Sequence, residues 1–302
     1  KRDWSSDVCS SDLNVIADYK GERYTLPFNM WTFNQLWGVK TEEEAKEVLE
    51  KQRYRGKIQN LEDQARSMVG DDVYEKLIKG YTIKQWDKPC SDLPASIIKR
   101  LPVRFTWDSN YFDDKYTGMP IGGYTQIFDK MLEGSDVWLN KDYFEDKDYY
   151  DTLANKTIYT GPIDRFFDYK FGKLDYRSLR WETDILEKDN FQGVPVVNYT
   201  DLKVSYTRIL EHKWFDHQNQ KGTIISYEHP AAYDGSNEPY YPIRDDKNTQ
   251  VYNKYQEMTK PLKNVYFGGR LATYVYYDMH QIIAQALKMI QHIDETEKYT
   301  IL

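Results

Sequence analysis

Near its end the chain repeats an apolar residue every three to four positions. Ile282, Ile283, Ala286, Leu287 and Ile290 fall on one face and predict a helix over about 279–293. Upstream, Thr41 and Glu44 form a capping-box pattern with Glu42 and Glu43 in the first turn, and predict a helix reaching about Gln52. Residues 61–69 and 71–79 read as two helices parted by Gly70. Ser91-Asp92-Leu93-Pro94 reads as the start of another, with proline in its first turn. A further helix follows Gly122-Gly123, over about 124–132. Residues 30–133 are therefore expected to be largely helical. Elsewhere short runs rich in β-branched and aromatic residues predict strands at 14–19 and 23–26 around a Lys20-Gly21 turn. Others are predicted at 137–139, 157–159, 176–182, 194–199 and 223–227. A helix over about 250–258, a strand at 264–267 and Gly268-Gly269-Arg270 precede the terminal helix.

The bulk composition narrows the classes. The 302 residues carry a net charge of -7, so general nucleic-acid binding, which needs a broad basic surface, is not expected. A small anion needs only a few local arginines. Aromatics make up 16%, with 27 Tyr, and tyrosine suits polar ligands because it offers a flat face and a hydroxyl. The commoner role for any one Tyr is to fill a half-buried surface. Cys9 and Cys90 have no metal-ligand or CxxC spacing, so a zinc site or disulfide scaffold is unsupported. No apolar run has the length of a membrane span and no signal peptide is visible; the expected setting is cytoplasmic. Residues 1–13, KRDWSSDVCSSDL, repeat Ser-Ser-Asp without helix or strand period, and read as a non-native prefix to be excluded from fold reasoning.

Three constellations carry chemistry. Tyr81, Trp86, Tyr111 and Phe112 set aromatic faces beside Lys84, Lys99, Arg100 and Arg104, which would stack a flat base and hold phosphate; the plainer reading of Tyr81 and Trp86 is core packing after a helix end. Arg100, Arg104, Arg177, Arg208, Arg244 and Arg270 supply planar forks suited to a diphosphate, although singly each is more often a solvated surface group. Arg208 is expected at a strand edge. Phe267-Gly268-Gly269-Arg270, with Asp278 and then a helix, lets backbone approach a ligand at a helix start; alone this is weak. There is no GxGxxG, Walker loop or nucleophile elbow, and the five histidines form no apparent metal set.

In order, LPFN at 26–29, KGYTIKQW at 79–86, LPASIIKRLPVR at 93–104, NYF at 110–112, GMPIGGYTQ at 118–126, NYTDLKVSYTRILEHK at 198–213, YYPIR at 240–244 and GGRLATYVYYDM at 268–279 closely resemble the bacterial UDP-galactopyranose mutase family. The likeness runs from Asn14 to about Ile293. It implies an isomerase that interconverts UDP-galactopyranose and UDP-galactofuranose, with reduced FAD attacking the anomeric carbon through its N5 while UDP leaves. The implied fold is α+β, within an α/β parent. Residues 30–133 would form a helical substrate lobe with a mobile loop, 14–29 and 134–260 a mostly antiparallel sheet lobe, and 261–302 the last strand and helix of a Rossmann-type FAD lobe.

By the same resemblance Arg100 and Arg208 are the catalytic arginines at the diphosphate. Tyr81 stacks uracil, Trp86 lies by the sugar, and Tyr111, Tyr241 and Tyr276 donate to phosphate. Phe112 shares the NYF motif, and Asn198 sits near the ribose. Arg177, Gly269, Arg270, Asp278 and Met279 would face FAD. Leu77 and Ile78 stand where some relatives have paired Phe, and Ala272 and Val275 replace a frequent Gly and Arg. The family's Gly-rich FAD segment is expected ahead of Asn14, so the chain reads as N-terminally truncated and inactive alone, from a homodimeric parent. The alternatives are a non-catalytic sugar-nucleotide-binding protein and another amine-oxidase-like flavoprotein.

Overall fold

The computed structural model describes residues 8–9, 14–99, 101–111, 118–215 and 220–300. In chain order its strands are β1 (Val8–Cys9), β2 (Val15–Tyr19), β3 (Glu22–Leu26), β4 (Met119–Pro120), β5 (Thr157–Tyr159), β6 (Tyr176–Leu186), β7 (Val196–Tyr199), β8 (Arg208–Glu211), β9 (Thr223–Ala232), β10 (Tyr241–Pro242) and β11 (Val265–Phe267). Its α-helices are α1 (Met30–Trp37), α2 (Glu42–Gln52), α3 (Leu61–Val73), α4 (Gly80–Trp86), α5 (Thr125–Met131), α6 (Lys147–Thr152), α7 (Ile163–Phe166), α8 (Asp246–Thr259), α9 (Gly269–Ala272) and α10 (Met279–Thr300). A π-helical turn, Tyr74–Lys79, joins α3 to α4. The chain divides into two compact units, 1–133 with 179–231 and 134–178 with 232–302.

The first unit is built on a sheet in the order β6-β9-β8-β7-β2-β3. The β2–β3, β7–β8 and β8–β9 ladders are antiparallel, and β2 runs parallel to β7. Helices follow β3 directly. Asn29 caps α1 by accepting from the amides of Trp31 and Thr32. Thr41 and Glu44 close the capping box of α2 in the expected way, because both partners lie within one turn and need no distant contact. The α3 backbone breaks at Gly70, where φ is 75°. That left-handed value suits a residue without a Cβ. Tyr24, Phe28, Met30, Phe33, Leu61, Val73, Leu77 and Ile78 are among the buried residues of one core between these helices and β2–β3. Leu77 and Ile78 thus serve that core.

The helix predicted from Ser91 does not form; Cys90–Asp92 and Ala95–Ile97 are single 3-10 turns. Pro94 supplies no amide proton to continue the first of them. Conversely, residues 80–86 are helical where a helix end was expected. The π-helical turn carries the chain through Gly80, at which any Cβ would lie 2.1 Å from the Thr200 carbonyl oxygen. The helix stops at Asp87, left-handed at φ 55°, whose amide donates to Ile83 O at 2.8 Å.

A buried carboxylate fixes the far side of this sheet. Glu211 Oε1 accepts from the Phe191 amide at 2.9 Å and the Thr223 hydroxyl at 2.8 Å, while Oε2 accepts from the amides of Gln192 at 2.8 Å and Gly193 at 3.3 Å. Burial alone raises its pKa, but these donors outweigh it and the net shift is downward.

In the second unit the first residues of β6 pair antiparallel with β10, and β5 pairs parallel with β11. Its core gathers Ile163, Leu174, Tyr176, Tyr252, Tyr255 and Tyr274. Asn248 and the N-cap Asp245 anchor α8, which begins four residues earlier than its apolar pattern predicted. The strand expected at 137–139 is not formed; Val137, Trp138 and Leu139 are exposed and unpaired with any described strand. The α10 face carrying Met279, Ile283, Leu287 and Ile290 is also exposed.

Candidate functional site

The register of the first unit's sheet sets a row of side chains across it. Ala17 on β2 opposes Asn198 on β7, Asn198 opposes Arg208 on β8, and Arg208 opposes Glu228 on β9. Opposed residues share a face. Arg208 therefore lies inside the sheet, flanked by two strands, and not at an edge as its polar surroundings suggested. Its Nε donates to Glu228 Oε2 at 2.6 Å and its Nη2 reaches the same oxygen at 2.5 Å. The other Glu228 oxygen, Oε1, accepts from the Thr207 hydroxyl at 2.8 Å. Glu228 is wholly buried, whereas the Arg208 side chain keeps 31% of its surface. The carboxylate thus holds the guanidinium at a fixed place and angle while part of it faces outward. Beside it, Asn198 Oδ1 is buried without a hydrogen-bond partner. An orphaned acceptor of this kind fits a ligand hydroxyl.

Tyr81 and Trp86 both lie on α4, half-buried, and Trp86 packs against the first unit's core together with Tyr111. Two of the cations read beside these aromatics are occupied by backbone. Arg104 Nη1 donates to Asn110 O at 2.7 Å and Nη2 to Tyr111 O at 3.4 Å, so it shapes the turn carrying Tyr111. Lys84 Nζ donates to three carbonyls, of Tyr199 at 2.7 Å, Val204 at 3.1 Å and Tyr206 at 2.7 Å. Lys99 is exposed. Arg100 and Phe112 lie outside the described residues.

The second unit gathers another group. The Arg270 guanidinium lies 4.0 Å over the Tyr276 ring, and Tyr276 stacks on Tyr241 at 5.6 Å and 21°. Tyr241 is in register with Arg177, which is buried. Arg270 Nε is buried without a hydrogen-bond partner. Gly269, at φ 75°, opens the short α9. Asp278 precedes α10: its carbonyl accepts from the amides of Gln281 and Ile282, and its amide donates to Gln281 Oε1 at 2.9 Å. Met279 is exposed. Arg244 is exposed as well. Among the described residues no cluster of histidine, cysteine or carboxylate ligands suits a metal.

Glu228 and Lys84 are the residues whose roles sequence reading missed. The only signal for Glu228 is an acidic residue in the middle of a strand with buried neighbours at Ile225 and Ser226.

The sequence profile of the UDP-galactopyranose mutase family matches residues 76–276. A probable UDP-galactopyranose mutase of Klebsiella pneumoniae is 39% identical over 281 residues, which are 91% of this chain and 72% of that protein. A dTDP-fucopyranose mutase of Escherichia coli is 37% identical over 284 residues, 91% of this chain and 75% of that protein. Among solved structures, reduced UDP-galactopyranose mutase superposes with a TM-score of 0.59 at 13% identity, covering 86% of this chain and 72% of that one. A putative protoporphyrinogen oxidase from Exiguobacterium sp. 255-15 gives a TM-score of 0.54 at 13% identity, over 94% of this chain and 80% of that one. The two superpositions speak to the fold, a mixed sheet with helices; the profile and the sequence relatives place the chain in the UDP-galactopyranose mutase family.

Proposed function

We propose that the chain binds a pyrimidine sugar nucleotide, UDP-galactopyranose or UDP-galactofuranose, and serves their interconversion with reduced FAD. The observation that carries this reading is Arg208, held by buried Glu228 next to the unpartnered Asn198 Oδ1, inside the stretch matched by the family profile. A guanidinium so fixed offers planar donors to a diphosphate without paying to order itself on binding. Asn198 accepts a sugar hydroxyl beside it. Within the first unit Tyr81 offers a face for the base, Trp86 one for the sugar and Tyr111 a hydroxyl to phosphate; Tyr241 and Tyr276 are proposed phosphate donors of the second unit, taken by itself. Arg100 and Phe112 belong to the same proposed set.

The residues of the second unit fit an edge of a flavin site. Gly269 takes a left-handed φ of 75° against Thr160, the buried Arg270 Nε is unsatisfied, and Arg177, Asp278 and Met279 complete the proposed contacts. When bound in its reduced form, FAD would supply the nucleophile that displaces UDP from the anomeric carbon. The chain's own arginines neutralise the diphosphate as it departs and keep it at hand for the return step. Arg270 is held over the Tyr276 ring by a cation–π contact, and Tyr276 in turn stacks on Tyr241.

The relative named for dTDP-fucopyranose makes the base and the sugar the points to test. That nucleotide adds a base methyl, lacks the ribose 2′-hydroxyl and lacks the sugar 6-hydroxyl. Purified chain is assayed with FAD and dithionite on both furanose nucleotides, with UDP binding followed by calorimetry. The expected result is dithionite-dependent isomerisation, at least about tenfold faster for the UDP sugar. Faster turnover of the dTDP sugar overturns the substrate. UDP binding without turnover leaves a binding protein, and amine oxidation points to an amine-oxidase-like enzyme.

A further inference from the structure

Three contacts clasp the loop between β7 and β8 to the turn of helix that carries Tyr81 and Trp86. The Thr200 hydroxyl donates to Lys76 O at 2.7 Å. Gly80 leaves room for the Thr200 carbonyl, which any Cβ would meet at 2.1 Å. Lys84 then gathers the carbonyls of Tyr199, Val204 and Tyr206 at 2.7 to 3.1 Å. A lysine ammonium has three protons, and here each has its own carbonyl. This loop leaves Asn198 at one end and enters Arg208 at the other.

We propose that Lys84 is a positioning residue of the nucleotide site: through these three carbonyls it fixes Asn198 and Arg208 relative to Tyr81 and Trp86. The inference rests on the sugar-nucleotide reading above. Lys84 touches no substrate in this scheme. It converts the conformation of an eight-residue connection, 200–207, into a fixed spacing between the base-stacking helix and the phosphate-binding strand.

The device titrates. Burial lowers the Lys84 ammonium to about 8, with Asp201 the opposing charge that favours the protonated form. Tyr199 and Tyr206, whose carbonyls it holds, are both raised by burial and do not ionise near that pH. A neutral amine has two protons, so one of the three carbonyls loses its donor as pH rises through about 8.

Lys84→Met and Lys84→Arg are compared with the wild-type chain. UDP affinity is measured from pH 7 to pH 9, and amide hydrogen exchange is followed at Thr200, Val204 and Thr207. Lys213→Met is the control, because Lys213 gathers the carbonyls of Asp189, Gln220 and Gly222 at the other end of β8. At pH 7 Lys84→Met is expected to bind UDP about tenfold more weakly and to exchange the loop amides about tenfold faster. Lys84→Arg, which keeps its charge, stays within about threefold of wild type and is flat with pH. Wild type weakens toward the Lys84→Met value between pH 7 and 9. Lys213→Met melts earlier yet keeps UDP affinity within about threefold.

Unchanged affinity and exchange in Lys84→Met overturn the clamp while leaving the nucleotide reading intact. Equal loss of affinity in Lys213→Met also overturns it, since the effect is then general destabilisation. A wild-type chain that binds no UDP at any pH overturns both readings. Should Lys84→Met not fold, the wild-type pH profile against Lys84→Arg decides.

Discussion

Arg208 and Glu228 are coupled because only one of them has solvent to fall back on. Removing the guanidinium strands a wholly buried carboxylate, while 31% of the arginine side chain is already exposed. Arg208→Ala is expected to cost roughly 3 kcal/mol, the lower end for leaving a buried charge unpaired. Arg208→Ala with Glu228→Gln is expected to regain about 1–3 kcal/mol of that loss. Urea unfolding of the two single variants and the double checks this, and simple additivity would sink it. Glu211 gives the acid-side counterpart. Its folded-state pKa lies below its ordinary value of 4.5, so its stabilisation is complete above about that pH and is lost as pH falls through the lowered value. Glu211→Gln should therefore flatten the stability curve below pH 4.5, at a cost at neutral pH of roughly 1–3 kcal/mol for amide donors left unmatched. Retention of the wild-type acid slope would show that other carboxylates set it.

At the scale of elements, Gly80 looks like a flaw in a helix and is a contact. Alanine would gain about 1 kcal/mol of helix propensity, yet its Cβ would lie 2.1 Å from a backbone oxygen that has no rotamer to escape into. The expected net effect of Gly80→Ala is a loss of about 1–2 kcal/mol with faster exchange at Thr200. A stabilised variant would refute the contact. The same contrast explains which parts could be read from sequence. The α2 cap was legible because Thr41 and Glu44 are three residues apart. The α10 pattern was legible for the same local reason. Residues 137–139 have strand-forming side chains but no described strand to pair with, and propensity alone cannot supply one. Arg208 seemed an edge residue because its flanking strands come from 196–199 and 223–232, and register is a long-range fact. Glu228 and Lys84 were hidden for that reason too: their partners lie 20 and more than 100 residues away.

For the molecule as a whole, two units with separate buried clusters imply more than one cooperative block. Calorimetric unfolding enthalpy is expected to exceed the van't Hoff value; equality of the two would mean a single cooperative transition. A second whole-molecule property follows from the exposed stripe of α10, where Met279 is 63% and Leu287 67% exposed. A net charge of -7 makes copies of the chain repel at long range, but a contiguous apolar ridge attracts at short range. Added salt screens the first force within about 10 Å at 0.1 M and leaves the second untouched. The chain is therefore a salt-sensitive colloid. Its osmotic second virial coefficient should fall, and static light scattering should turn from repulsive to attractive, as sodium chloride is raised. Leu287→Glu, which interrupts the ridge and adds to the negative charge, should move that turn to higher salt.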